Sequence, residues 1–582
     1  MKEDNNMKNI KNIIVAALLS LSCFSCSDVL DKGPLDKYSE EDVWNNADLI
    51  QSFSYTTLRR ATDFMIMVDE YTDNSVIEPN SSIISFNKEQ MDRYFDVGWN
   101  RVNDDLKVYE NIRRCNMLIA KAPESPVLSD SEKAHFVAQA KAMRAMIYFS
   151  RARWFGKLMI VDRLLDPDEN MEFSRTATIK DTYDFILNDL KEAANDLPET
   201  LTNQQGMLTK GAAYALLAEA ALHGAAYIES GQDEYYAIAK TASENLFNLS
   251  VYELDENYKG MFNDFNQSLN SKEIILAQWK HEDATKFADT WMQQLVPNTD
   301  NNKVKPGTVP TFVEEFAGWL QQMPSIDLVN AYEVIDEDGK AKDWDQTSYY
   351  KNFQKNGGYV SDAIYKNRDN RFYASIVYDS TMFFKNEVWT RLGGNLNWAS
   401  ALGGGDWGMT KTGYIYRKCV YEEKRLLNDQ PTNYHYVLLR LGRSYLNYAE
   451  VMLRLGDINT AIDYINKTRT THGGLPALSH GMSSEDVWKA YKRERRVDLT
   501  MEGDRYWSLL RWGKADNLPI VNELTIVHKA IEIAADGKSF QIIDLPFNKA
   551  DNIRVFTSKR YLMPVPQKEI EQNPSLDQNT GW

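Results

Sequence analysis

Cysteine and histidine are scarce in this chain, at 4 and 7 of 582 residues. Four cysteines cannot build the disulfide framework that staples small secreted domains. The histidines are scattered, and no His-Glu-x-x-His pairs two of them for zinc. No Gly-x-Ser-x-Gly elbow offers a serine nucleophile. Gly403-Gly404-Gly405-Asp406 lacks the Walker lysine of a phosphate cradle, so no cofactor is expected. Cations are also in deficit: 66 Lys and Arg stand against 83 Asp and Glu, for a net charge of −17. That balance excludes sequence-independent nucleic-acid binding, which needs a dense cationic face to displace counterions, and a polybasic grip on anionic lipid. The body has no apolar run long enough to span a bilayer. What the chain does have is core-forming material, 43% hydrophobic and 12% aromatic residues, enough for more than one packed lobe at this length.

The amino terminus carries the pattern of an export signal, expected over residues 1–25. Lys8 and Lys11 precede Ile13-Ile14-Val15-Ala16-Ala17-Leu18-Leu19, and Leu21-Ser22-Cys23-Phe24-Ser25-Cys26 follows. A charged stretch, a short apolar stretch and then small residues direct export, and the apolar part falls short of the ~20 residues of a spanning helix. Glu3 and Asp4 are foreign to such a leader and place the working start at Met7. Cys26, flanked by Ser25 and Ser27-Asp28, stands where a bacterial lipoprotein carries its lipid-accepting thiol, and is preferred to Cys23. Acyl chains there would anchor the protein, at ~0.8 kcal/mol per buried CH₂. Cys115 and Cys419 then remain as ordinary thiols.

The body reads as mostly α. Apolar residues recur every three or four positions over residues 131–155, with Ser131 as N-cap, and Ala138, Ala140, Ala142 and Ala145 allow a neighbour to approach closely. Similar patterns run over 178–194 and 211–221. Another spans 438–455, breaks at Gly456-Asp457 and resumes over 460–470. Ala449, Gly456, Ala461 and Ile465 fall at tetratricopeptide spacing, with Tyr445 in place of the motif's tryptophan. Over 279–431 the periodicity fades. Gly, Asn and Asp become common, and Trp291, Trp319, Trp344, Trp389, Trp398 and Trp407 fall here. Aromatics in irregular chain need a core or a ligand to cover them. His281-Glu282-Asp283 in this stretch reads as a solvated turn. In Lys492 to Gly513, opposite charges at three- and four-residue spacing suit intrahelical ion pairs. Acids accompany every arginine, so this segment reads as a charged helix closing onto the core rather than as an anion site.

That segment, Arg493-Glu494-Arg495-Arg496 through Glu502-Gly503-Asp504-Arg505 to Leu510-Arg511-Trp512-Gly513, resembles the SusD/RagB family of nutrient-binding outer-membrane lipoproteins. So does the carboxyl end, Tyr561-Leu562-Met563-Pro564-Val565-Pro566, then Asn573-Pro574 and Gly581-Trp582. Cys26-Ser27-Asp28-Val29-Leu30-Asp31, Tyr109-Glu110-Asn111-Ile112-Arg113-Arg114-Cys115-Asn116 and Tyr445-Leu446-Asn447-Tyr448-Ala449-Glu450 are similar to family segments in the same order. The resemblance implies a single domain over 26–582, in a helical part (26–278), a loop-rich ligand-facing part (279–431) and a second helical part (432–582). Its fold would be a tetratricopeptide-like helical-repeat scaffold carrying an irregular ligand-binding half. It further implies a surface-exposed lipoprotein of the outer membrane, lipid-anchored at Cys26. This would be a binder rather than an enzyme, passing a glycan to a SusC-like TonB-dependent β-barrel transporter.

Sugar rings offer apolar C–H faces for an indole or phenol to stack on, while amides and carboxylates bond the hydroxyls. Trp319 is the leading ligand-binding candidate, since Gly318-Trp319 precedes Pro324-Ser325 and Asp327-Leu328-Val329, similar to a family run that follows a ligand-facing loop. Trp99, with Asn103 close by, lies in a loop region that family members use; Asp73-Asn74 matches a family segment near the site; Trp291, with Gln293 and Gln294, completes the set. Peptide binding on the same scaffold, or a surface glycoside hydrolase with two acids in one cleft, are the alternatives.

Overall fold

The computed structural model describes residues 39–582 except 67–68, 80, 105, 167, 170–171, 201–205, 300–308, 314–315, 400–407 and 424–426. The leader with Cys23 and Cys26, the Gly403–Asp406 run and Trp407 lie outside the described residues.

Ten helices of eleven residues or more are described: α1 Ala47–Asp63, α2 Val108–Lys121, α3 Asp130–Phe155, α4 Ile179–Asp196, α5 Lys210–Ala225, α6 Gln232–Asn248, α7 Leu441–Arg454, α8 Ile458–Thr471, α9 Ser484–Asp498 and α10 Arg505–Ala515. From α2 to α6 each helix packs on the next, and α7 packs on α5, α6, α8 and α9, so the two helical stretches form one scaffold. From Ala142 to Phe155 every residue of α3 is buried, as expected of a helix packed on all sides. Its N-cap is Ser129, not Ser131. Ser129 Oγ accepts from the Glu132 N–H while Glu132 Oε2 accepts from the Ser129 N–H at 2.8 Å. Only Ser129 has a glutamate three residues on to complete this capping box. The small residues of α5 allow close contact. A Cβ at Gly224 would come within 2.7 Å of the Tyr183 ring and 2.8 Å of Tyr235.

Residues 438–440, expected to open a helix, instead end a strand. In Tyr434-His435-Tyr436-Val437-Leu438-Leu439-Arg440 the aromatic and branched residues favour extended chain. This strand pairs antiparallel with Ile274–Lys280, with Tyr434 opposite Lys280. The paired strands close the base of the irregular stretch between them. The described strands form two-stranded antiparallel sheets, among them Ser75–Ile77 with Gln322–Pro324. Two hydrophobic cores result: one within the helical scaffold, and a second built mostly from residues 258–437. Cys115 is buried in the first, Cys419 in the second, and both are free.

The late charged segment divides into α9 and α10, turned by Met501 and Gly503 in the left-handed region (φ 64° and 68°). Its ion pairs are not the intrahelical ones that spacing suggested. The buried ones leave their helix: Arg495 reaches Asp504 just before α10, Arg511 reaches Glu450, and Arg505 reaches Asp73. A larger network joins the two cores. Arg440 bonds Glu273 (2.7 Å), Glu502 (2.8 Å) and Asp498; Arg371 bonds Asp369 (2.7 Å), Asp498 (3.0 Å) and Glu494; Lys418 bonds Glu502 (2.6 Å). His472 bridges Asp498 (2.8 Å) and Glu273 (2.9 Å). Burial alone would push His472 down, but the charges of Glu273 and Asp498 outweigh it and raise it to about 9. Burial likewise works against ionised Glu273, yet His472 and Arg440 hold it at about 2. Such a cluster holds only when every charge is paired, because an unpaired buried ion costs several kcal/mol, of the order of 3–5.

Candidate functional site

The candidate site is built on the second core. Phe316 is buried there, and the chain then passes along the 293–298 segment. Gly318 N–H donates to the Pro297 carbonyl (3.0 Å), Trp319 N–H to Gln293 (2.6 Å), Leu320 N–H to Val296 (3.0 Å) and Gln321 N–H to Gln294 (2.8 Å). Asn298 Nδ2 closes the turn on the Gly318 carbonyl at 2.8 Å. A Cβ at Gly318 would fall 1.9 Å from the Val296 carbonyl oxygen, so only glycine permits this approach. Leu320 takes a left-handed φ of 42° and is itself buried. The backbone on both sides of Trp319 is therefore fixed, while the residue is 39% exposed. The arrangement presents a flat apolar face without the cost of ordering a loop.

Gln321 is exposed two residues beyond the indole, and Gln293 Nε2 donates to Asn428 Oδ1 (2.8 Å) on a neighbouring exposed loop. Trp291 is half-buried and packs against both cores. Its expected partner Gln293 turns inward, while Gln294 is half-buried.

The other proposed contacts are placed differently. Trp99 is 1% exposed, edge-on to Phe155 at 5.0 Å in the scaffold core, and cannot offer a face to a ligand. Asp96 Oδ1, capping the Gly98 and Trp99 N–H groups at 2.7 Å, turns the chain so that the indole points inward. Asn103 is exposed, and its Oδ1 accepts from the Leu106 N–H at 2.9 Å. Asp73 and Asn74 are wholly buried, which overturns their reading as ligand contacts. Arg505 grips Asp73 through two 2.8 Å bonds, and Asn74 joins Arg496 (2.8 Å) to Asp69 (2.9 Å). Burial opposes ionisation of Asp73, but Arg496 and Arg505 hold it well below the usual carboxylate range. These residues clamp the N-terminal segment to α9 and α10, which is structural work.

Trp344 packs on Tyr350 (4.7 Å) and donates from Nε1 to Asn330 (2.8 Å). Trp389 donates to Glu387 (2.9 Å) beneath the Arg391 guanidinium. Trp398 is half-buried against the second core. Tyr359, absent from the expected contacts, is 51% exposed, with Lys538 Nζ 5.7 Å from its ring centroid. The signal for it was the preceding Gly357-Gly358, both at positive φ. Among the described residues no three His, Cys, Asp or Glu side chains are grouped to hold a metal. His281 pairs with Asp283 at 3.0 Å on an exposed turn. Asp69 is pushed up to about 6 by burial, yet Asn74 and the Met501 N–H occupy it away from solvent, so it cannot serve a substrate as general acid.

Fold and surface together define a helical-repeat scaffold that supports an irregular face bearing a fixed, open indole. The chain belongs to the SusD family, whose model matches residues 272–582. Residues 28–222 match a second model, described as starch-binding, associating with outer membrane. The chain is 22% identical over 613 residues to a SusD-like protein of Formosa agariphila, covering 99% of this chain and 100% of that one. Among solved structures, a SusD-like protein of Bacteroides fragilis superposes with a TM-score of 0.72 at 25% identity, covering 95% of this chain and 100% of that one. A SusD-like carbohydrate binding protein of the same species shares the fold at a TM-score of 0.68 and 19% identity, covering 92% and 100%.

Proposed function

We propose that this protein captures an oligosaccharide or polysaccharide at the bacterial surface and passes it to a TonB-dependent β-barrel transporter of the SusC type, without cleaving it. It would be held to the outer membrane by lipid on Cys26. The observation that carries this reading is Trp319, a 39% exposed residue on a backbone bonded from both sides. A pyranose face laid on roughly 80 Å² of its ring gains about 2 kcal/mol at ~25 cal/mol per Å², a factor of about 30 in affinity. In this reading the exposed amides Gln321 and Asn428 would bond ring hydroxyls. A solved relative described as carbohydrate binding supports the ligand class, and the matched description associating with outer membrane supports the location.

Affinity electrophoresis of the chain without residues 1–26, run through a panel of native polysaccharides, tests the reading. Retardation by one glycan is expected, lost in Trp319→Ala with the melting temperature unchanged and with no new reducing ends released. Passage through every glycan unretarded would overturn it in favour of a peptide or other non-sugar ligand.

A further inference from the structure

A cavity of about 510 Å³ opens in the helical scaffold, at a junction apart from the Trp319 platform. It forms where the ends of α3 and α10, the start of α4 and the loop after α5 meet the carboxyl-terminal tail. Its volume lies in the range of small-molecule sites, about 300–1,000 Å³. In a chain with a net charge of −17, five cations line this one space, Lys157, Arg175, Lys180, Lys514 and Lys559, of which Lys180 pairs with Asp184 and Lys559 with Glu89 outside it. Only two carboxylates line it, Glu229 and Asp577. Asp577 is already committed: its hydrogen bond from Arg175, then Lys157, holds it well below the usual carboxylate range.

Two buried donors on this wall lack partners among the described residues. The Arg175 side chain is fully buried. Its Nε donates to Asp577 (2.8 Å) and its Nη1 to Asn579 (2.9 Å), but its Nη2 has no acceptor. The hydroxyl of Tyr227, a residue 4% exposed, is equally unpaired. Leaving a buried donor unmade costs of the order of 1–3 kcal/mol, more when it is charged, so such groups mark where an acceptor belongs. The first turn of α4, eighteen residues long, also borders the space and adds its positive end. Apolar walls come from Ile179, Tyr561 and Leu562.

We propose that this cavity is a second binding site, taking an oxyanion group, carboxylate, sulfate or phosphate, on a ligand no larger than a mono- or disaccharide. Arg175 and Tyr227 bond the anion, Lys514 supplies charge at the rim, and Tyr561 and Leu562 cover the apolar part. The site is independent of Trp319 and stands whether or not neutral glycans bind there.

Isothermal titration calorimetry on the chain without residues 1–26, at constant ionic strength, tests this with glucuronate, sodium sulfate, sodium phosphate and glucose. Saturable one-site binding of at least one anion is expected, with none of glucose. Glucuronate binding at least 10-fold tighter than sulfate or phosphate would assign the ligand as an acidic sugar, and the reverse as a free inorganic anion; both support the site. Lys514→Glu should weaken binding at least 10-fold. Tyr227→Phe removes only an unpaired hydroxyl, so it should weaken binding while leaving the melting temperature unchanged or higher. Arg175→Gln should abolish binding, and Trp319→Ala should leave it intact. Absence of binding by all three anions, or equal binding by wild type, Lys514→Glu and Tyr227→Phe, would overturn the proposal.

Discussion

The buried bridge at His472 makes stability depend on alkali in a way that can be calculated. In the folded protein the imidazole stands between Asp498 and Glu273 and holds its proton up to about 9; its ordinary value is 6.5. Because the folded value is the higher one, the folded state binds the proton more tightly. The contribution is therefore fully present below 6.5, declines as pH rises between 6.5 and about 9, and is gone above. At about 1.4 kcal/mol per pH unit, the whole contribution is about 3 kcal/mol. Other buried histidines do not blur this window. His435 is lowered to about 4 and His223 is lowered well below 6.5, both by burial, so their proton linkage lies on the acid side of 6.5. His472→Gln removes the charge and replaces two opposed N–H donors with a single amide nitrogen, and should cost about 3–5 kcal/mol at pH 6. The assay is denaturant unfolding followed by tryptophan fluorescence at pH 6 and pH 9. Wild type should lose about 3 kcal/mol more than His472→Gln between the two pH values, since that difference cancels every other titrating group. Equal losses in both proteins, or a His472 ring that titrates near 6.5 by NMR, would refute the argument.

Ser129→Ala should lower stability by about 1 kcal/mol through loss of the α3 cap while Ser131→Ala changes little, measured by thermal unfolding. Trp99→Ala should cost about 3–5 kcal/mol by opening a core cavity, with glycan retardation of the folded fraction retained. Asp73→Asn should leave Arg505 short of a charge and destabilise by about 3 kcal/mol or more, again with retardation retained; a loss of binding without a loss of stability would return Asp73 to the ligand site. Gly318→Ala should displace the Trp319 turn from Val296 and weaken glycan retardation as much as Trp319→Ala does.

The scaffold was legible because helices announce themselves locally. The helix start at Thr178, the alanine-rich faces and the Gly456 break lie within a few residues of the structure they dictate. The strand ending at Arg440 was not, because a short apolar run fits helix and strand alike until its partner, Ile274–Lys280, is known. The charged segment shows the same limit. Glu494 and Asp498 have the spacing of solvated helix pairs, and nothing local points to Arg371 and Arg440 as their partners. Trp99 and Trp319 both follow a glycine and stand beside polar residues. Gly98 and Asp96 turn one indole inward against Phe155, while Gly318 against Val296 leaves the other outward.

The strand pair Lys280–Tyr434 brings the two ends of the irregular stretch side by side like the clip of a cassette, and the pairing of Gln322–Pro324 with Ser75–Ile77 ties it to the host a second time. Exchange of that cassette between relatives would need no change in the length or direction of the host chain. The clip alone does not make a donor compatible, however. Arg371 and Lys418 travel with the cassette, while Glu494, Asp498 and Glu502 stay with the host. A graft lacking either cation would strand acids in a dry joint. Any graft at this joint would therefore have to bring both cations to match the host's acids.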